Sequence, residues 1–420
     1  MSKLSFHQLA VIMVLRLQRM MQRRFFSSHE VTALSFATDF EGNVGYMLRY
    51  AGQASHGLTV SSPCDAQGWP RLDLKDGYHF VYGGDVCDHE PGDLRVLHAL
   101  VDLKKRYPDR VTLIMGNRDV NKLRLKSELS HQGLKRPPES VEGAFWNETK
   151  NRVELTSFLR KLASDKSAGP GSTVDTALNR LKWVLQYTMG APRAFENRAT
   201  ELRALALARG QLAASVKDED VLASFYDSVQ PGGLMSDYLS LAVPAAVVGD
   251  TLFLHGALNP LHRLGTVPAS SRPESQQRQP GAGSSVYETP QEWVEGLCAW
   301  SAGEVGDWLE RDTEPFEGLE GTVETVASGG KTLARSRWAL AQPGTGLVNY
   351  GVPHAQQNRT VVYQNWLQKV NESHAPWSPL FASLSFMLTK CTCSALTLVS
   401  TGRAEARGSS EASGRFFGKR

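Results

Sequence analysis

Cysteine is scarce. Only five occur in 420 residues, and only Cys391 and Cys393 lie close together, so neither a disulfide framework nor a zinc-ligand quartet is available. A reducing compartment is the default. Long apolar runs are also missing: Leu9 to Leu17 is interrupted by Arg16 and falls short of the roughly 20 residues a membrane-spanning helix needs. No Gly-x-Gly-x-x-Gly and no Walker-type loop occurs, which weighs against a nucleotide-binding protein that cradles phosphate without metals. No internal repeat is visible. Excess positive charge is small, a formal +3, and Lys3, Arg16, Arg19, Arg23 and Arg24 carry it in the first 29 residues; without them the balance is −2. The basic tilt belongs to that leader, so no nucleic-acid stripe is expected.

What is present is an ordinary globular composition, 41% hydrophobic and 21% charged, in a chain long enough to bury a full core as one large domain or two smaller ones. Tyr78 to Tyr82 and Val111 to Met115 are short, rich in β-branched and aromatic residues, and stop at glycine, the pattern of buried strands. Between them Leu94, Leu97, Leu100, Val101 and Tyr107 repeat at helical spacing until Pro108. This is a β-α-β unit with parallel neighbouring strands. Asp85 and Asn117 are therefore expected side by side at the carboxyl edge of the sheet, where open α/β folds place their sites. Two more apolar runs end in loops of the same kind: Leu34 to Thr38 before Asp39-Phe40-Glu41-Gly42-Asn43, and Ala245 to Leu254 before His255-Gly256.

Taken singly, each piece has a bland reading. Gly84-Asp85 is a turn, Asp39 caps a helix, Gly116-Asn117 is a tight turn and His255 is a satisfied core histidine. Taken in order, Asp-x-Glu-Gly, Gly-Asp-x-x-Asp, Gly-Asn-Arg-Asp and His-Gly resemble the calcineurin-like metallophosphoesterase family. The flanking text from Gly83-Gly84-Asp85-Val86 through Pro91-Gly92-Asp93-Leu94-Arg95 to Gly116-Asn117-Arg118-Asp119-Val120-Asn121-Lys122 is similar to a branch found mainly in protists and algae. The resemblance covers roughly residues 31 to 366.

It implies an α/β fold, a two-sheet αββα sandwich, with two divalent metal ions (Mn, Fe, Zn or Mg) and hydrolysis of a phosphate ester through a metal-bound hydroxide. Cations about 3.5–4 Å apart do this chemistry by polarising the phosphoryl group and activating water. By motif position the metal ligands would be Asp39, Glu41, Asp85, Asn117 and His255, with Asp85 as the bridge. Asp88 would support a ligand through hydrogen bonds. Arg118 stands where many relatives have a histidine; it cannot act as a general acid but can clamp phosphate oxygens, so it is expected to bind substrate at the catalytic centre. Asp119 would either support Arg118 or cap the helix that follows, Val120 to Leu129. Lys122 and Arg124 are weaker phosphate candidates, or else a solvated helix face. The substrate would be a phosphorylated small molecule or a phosphoprotein.

The family's final Gly-His-x-His has no counterpart after His255; the later histidines are His262, His354 and His374. The alternative function is therefore a catalytically impaired phosphoesterase fold that binds a phosphorylated ligand or partner.

Around this centre, residues 1–29 contain no acid, and Arg23-Arg24-Phe25-Phe26-Ser27-Ser28 resembles an Arg- and Ser-rich organellar presequence, mitochondrial or otherwise. A signal anchor, or an unprocessed basic helix on a cytoplasmic protein, are the alternatives. The phosphoesterase domain is expected over 30–371, with a helical cap inserted at about 130–243. Within that cap Leu178 to Leu185, Phe195 to Leu207 and Val221 to Leu241 carry helical periodicity. A disordered loop is expected at 268–290. Glu292 to Leu309 should return to helix, with Trp293, Leu297, Trp300 and Trp308 toward a core. Residues 372–420 read as a low-complexity tail, a misread or truncated end. Cys87 is expected to point into the core.

Overall fold

The computed structural model describes residues 33–141, 143, 152–164, 174–256, 267, 287, 289–310 and the short pieces 325–328, 331–334, 346–348, 362 and 396–399. The presequence, most of the 268–290 loop, His262, His354, His374, Cys391 and Cys393 lie outside the described residues.

The first half runs β1 (Ala33–Ala37), α1 (Val44–Ala51), β2 (Leu58–Ser62), β3 (Arg71–Leu74), β4 (Tyr78–Tyr82), α2 (Asp93–Arg106) and β5 (Val111–Leu113). Strands β1, β4 and β5 form a parallel sheet with β4 in the middle. Phe80, Val81 and Tyr82 are fully buried, as a central parallel strand covered on both faces requires. Helix α2 is the crossover from β4 to β5. It buries Val96, Leu97, Leu100 and Leu103 completely, each such side chain contributing roughly 1.5–3 kcal/mol. Register is what matters for function. Ala37 pairs with Tyr82 and Tyr82 with Leu113, so the three strands end in one row and the loops bearing Asp39, Asp85 and Asn117 leave together.

Helices fill the stretch between β5 and the second sheet: α3 (Asn117–Asn121), α4 (Leu123–Glu128), α5 (His131–Lys135), α6 (Leu155–Ser164), α7 (Ala177–Trp183), α8 (Ala194–Ala208), α9 (Asp218–Ser228) and α10 (Leu234–Leu241). The single helical stretch expected over Val221 to Leu241 is two helices. Pro231-Gly232-Gly233 breaks it, with Gly232 at φ 85°. Likewise Val120 to Leu129 is not one helix, since α3 ends and α4 begins at Lys122.

The apolar run Ala245 to Leu254 is not one strand but a tight antiparallel hairpin, β6 (Ala245–Val248) and β7 (Thr251–Leu254), turning at Gly249-Asp250 with Gly249 at φ 62°. Just before the hairpin, Val243 forms a parallel bridge with Ile114, the residue after β5. Phe36 of β1 stacks on Phe253 of β7 with centroids 5.7 Å apart. Val81, Ile114, Ala246 and Val248 complete that small core between the two sheets. The larger core lies under the helices and includes Tyr82, Leu97, Trp183, Tyr238 and Trp308. Helix α11 (Pro290–Glu310) places Trp293, Leu297, Trp300 and Trp308 in it, as the spacing predicts.

Beyond lie a β8 (Thr325–Ser328) and β9 (Lys331–Ala334) hairpin, and β10 (Leu396–Val399), which pairs antiparallel with β7. The expected low-complexity tail thus contributes one strand. The fold is mixed α/β, with a parallel sheet and antiparallel sheets. No described helix is long and apolar enough to cross a membrane.

Candidate metal centre

Beyond the strands, the loops after β1 and β4 stay zipped together through their backbones. Asp39 N–H donates to Gly84 O, Glu41 N–H to Asp85 O and Gly42 N–H to Val86 O, at 3.0, 3.1 and 2.8 Å. The Tyr82 hydroxyl accepts from Phe40 N–H at 3.0 Å and donates to Asp85 O at 3.1 Å. Such loops hold unusual backbone geometry. Asp39, Glu41, Asp85 and Asp88 have φ of 53°, 46°, 58° and 102°, and they are the only described non-glycine residues in the left-handed region. Each costs on the order of 1–3 kcal/mol, and strain of this kind is kept where function needs it. Here all four strained residues are acids of one cluster.

Asp39, Asp85 and His255 offer ligand atoms that lie within 4.8 Å of one another. His255 Nδ1 lies 2.8 Å from Gly83 O, so that nitrogen donates and Nε2 faces the cluster. Asn117 Oδ1 is 3.2 Å and Asp85 Oδ1 3.4 Å from that Nε2. Two carboxylates, an amide oxygen and an imidazole with its far nitrogen tied down suit one divalent cation. The electrostatics couple these groups. Burial pushes the Asp39 carboxyl up. Burial opposes charge on Asp85 too, but His255 and Arg118 outweigh it and hold that carboxyl below its ordinary value. Burial would lower the His255 pKa, yet Asp85 beside it raises it to about 9.

The second half of the expected ligand set is arranged differently. Glu41 does not join the three; its Oε1 lies 3.1 Å from Arg118 Nε and 3.4 Å from His89 Nε2. Burial raises its carboxyl to about 7 despite the arginine. Arg118, expected to await phosphate, already faces three carboxylates, with Nε 3.6 Å from Asp85 Oδ2 and Nη1 3.5 Å from Asp88 Oδ2. Asp88 supports no ligand. Its Oδ2 accepts from Lys122 Nζ at 2.7 Å, while its buried Oδ1 has no hydrogen-bond partner among the described residues. Lys122 is neither on a solvated face nor open to substrate, being only 3% exposed. Arg124 bonds Glu128, Asn121 and Thr188, none of them in the cluster.

Asp119 neither supports Arg118 nor caps the helix as its first flanking residue. It is the third residue of α3, fully buried, and its carboxylate accepts from the N–H groups of Asp85, Val86 and Gly116 at 2.9, 2.8 and 2.8 Å. Burial and the neighbouring Asp85 charge push it up to about 7. Cys87 is buried, and burial raises its thiol well above the usual range, which makes it inert.

Several participants went unseen in the sequence. His89 touches Glu41. Tyr82 and Tyr238 line the underside, Tyr238 hydroxyl donating to Ile114 O at 2.9 Å. Asp93 Oδ1 accepts from Asp88 N–H at 3.1 Å, and Asp93 Oδ2 lies 3.6 Å from Arg198 Nη2 on α8. No local signal marks the pairing of Asp93 with Arg198, because it joins segments about a hundred residues apart. No protein-family model matches this chain, and no curated protein matches it.

Proposed function

We propose that this chain is a metal-dependent phosphoesterase built on the two-sheet sandwich of the calcineurin-like metallophosphoesterases. The carrying observation is the convergence, to within 4.8 Å, of Asp39 and Asp85, both in left-handed backbone at the carboxyl edge of the parallel sheet, and of His255 after β7. Packing of Phe36 on Phe253 between the two sheets supports the sandwich. Asp39, Asp85, Asn117 and His255 would hold the cation. Bound there, it supplies Lewis acidity toward a phosphoryl oxygen.

The remaining work falls to the chain itself. The Gly83 carbonyl and Asp85 orient the His255 ring. Asp119 keeps the Asp85 loop in place through backbone hydrogen bonds. Arg118, 21% exposed in its side chain and paired with Glu41, would meet a phosphate oxygen at the edge of the cluster. The helices α6 to α10 act as a cap that restricts entry.

A chelated preparation should regain hydrolysis of p-nitrophenyl phosphate or its bis-ester on addition of Mn, Fe, Zn or Mg. Asp85→Asn should lose most of the bound metal and the activity with an unchanged circular dichroism spectrum. Undiminished metal content in that variant would sink the assignment.

A second reading, a phosphoesterase fold that binds a phosphorylated ligand without turnover, is favoured by the engagement of Arg118 with three carboxylates. Metal binding with phosphate affinity but no hydrolysis across both esters would select it.

A further inference from the structure

We propose that this chain holds a single divalent cation, and that the guanidinium of Arg118 occupies the second cation position between Glu41, Asp85 and Asp88. This rests on the metal-site reading above and refines it.

Asp85 divides its two oxygens. Oδ1 faces His255 Nε2 at 3.4 Å and accepts the backbone N–H of Arg118 at 3.0 Å. Oδ2 faces the guanidinium Nε at 3.6 Å. The residue read as a bridge between two metals therefore bridges a metal side and an arginine side. On the arginine side the same Nε lies 3.1 Å from Glu41 Oε1, and Nη1 lies 3.5 Å from Asp88 Oδ2. A planar fork touching three carboxylates fills the volume between them. A metal there would need contacts of about 2.0–2.2 Å to the same oxygens.

Charge points the same way. Arg118 and Lys122 already supply two positive charges among Glu41, Asp85 and Asp88, Lys122 Nζ lying 2.7 Å from Asp88 Oδ2. One dication belongs on the Asp39–His255 side. A second would be driven against a guanidinium at contact distance, in a site where Asp85 and Asp88 are 4% and 3% exposed and screening by water is weak. Lys122, one helical turn on, seals the Asp88 side.

The test is metal stoichiometry on the full chain, stripped with chelator and titrated with Mn²⁺ by calorimetry, with electron paramagnetic resonance of the loaded sample. One tight equivalent and an uncoupled mononuclear spectrum are expected. Arg118→Ala should admit a second equivalent, bound at least about tenfold more tightly than any second ion in the parent, the scale on which a metal's surroundings act. Arg118→Lys, which keeps the positive charge, should stay close to one equivalent and shows whether the position tolerates substitution without unfolding. Two tight equivalents with a coupled spectrum in the unmodified chain would overturn the single-cation inference and leave the metal reading standing. No tight binding in the unmodified chain would overturn the metal reading itself. A folded Arg118→Ala variant that still binds only one ion would show that something other than the arginine excludes the second.

Discussion

The buried carboxylate of Asp119 accepts the backbone N–H groups of Asp85 and Gly116, at 2.9 and 2.8 Å, and so fastens the loop after β4 to the loop after β5. A third donor, Val86 N–H, completes the set at 2.8 Å. Asp119→Ala would leave three buried donors unpaired, at about 1–3 kcal/mol each. The variant should lose several kcal/mol in urea unfolding and bind metal at least tenfold more weakly, although no ligand has been removed. Asp119→Asn, which keeps one acceptor oxygen, should fall between the two. A parent-like midpoint for the alanine variant would show that these bonds do not hold the loops.

Close approach of the same two loops makes Gly116 a second test. A Cβ there would lie 2.1 Å from Asp85 Oδ1 and 2.3 Å from Asp85 N, and the second of these is backbone that cannot swing aside. Gly116→Ala should therefore displace Asp85 and abolish tight metal binding while the far side of the domain stays folded. Calorimetric titration would decide it: affinity within twofold of the parent would mean the loops separate without cost.

How much of this was legible in the sequence follows physical range. The β-α-β unit and the row of Asp39, Asp85 and Asn117 were readable because periodicity and strand-ending glycines are local, and parallel register then aligns the strand ends. The hairpin at Gly249-Asp250 carried a readable turn signal, a Gly-Asp pair between two apolar runs, that the continuous hydrophobicity on either side obscured. The inward fold of Asp119 and the pairing of Glu41 with Arg118 were not readable. Both depend on how loops from different strands face one another, and no spacing rule encodes that.

The helical segment is tied to the site by charge. Glu201 of α8, only 1% exposed, accepts from Leu94 N–H and Arg95 N–H at 3.0 and 2.9 Å and so satisfies the first turn of α2. Its neighbour Arg198 reaches Asp93, which in turn accepts from Asp88 N–H. Glu201→Ala removes one side of a buried charged network, which typically costs about 3–5 kcal/mol. Unfolding by urea should show a loss of that order, and limited proteolysis should cut within the α8 to α9 region sooner than in the parent. A loss under about 0.5 kcal/mol, the usual range of surface changes, would mean α8 is not anchored through this residue.

Acid sensitivity should trace partly to His79. This imidazole, 7% exposed on β4, has Nε2 2.9 Å from Thr112 Oγ1, and burial lowers its pKa to about 4, helped by the charges of Lys104 and Arg110. In the unfolded chain it returns to about 6.5. Between those values the unfolded state binds a proton that the folded state does not, so stability rises with pH across the window and is lost as pH falls through it. The loss from pH 7 to pH 4 is on the order of 3 kcal/mol for this group alone. His79→Gln keeps a hydrogen-bonding side chain for Thr112 but does not titrate. Its urea midpoint should therefore fall less steeply than the parent's between pH 6.5 and 4.5, while above pH 7 the difference between the two stays constant. Parallel midpoint curves through the acid window would assign the acid sensitivity to other groups.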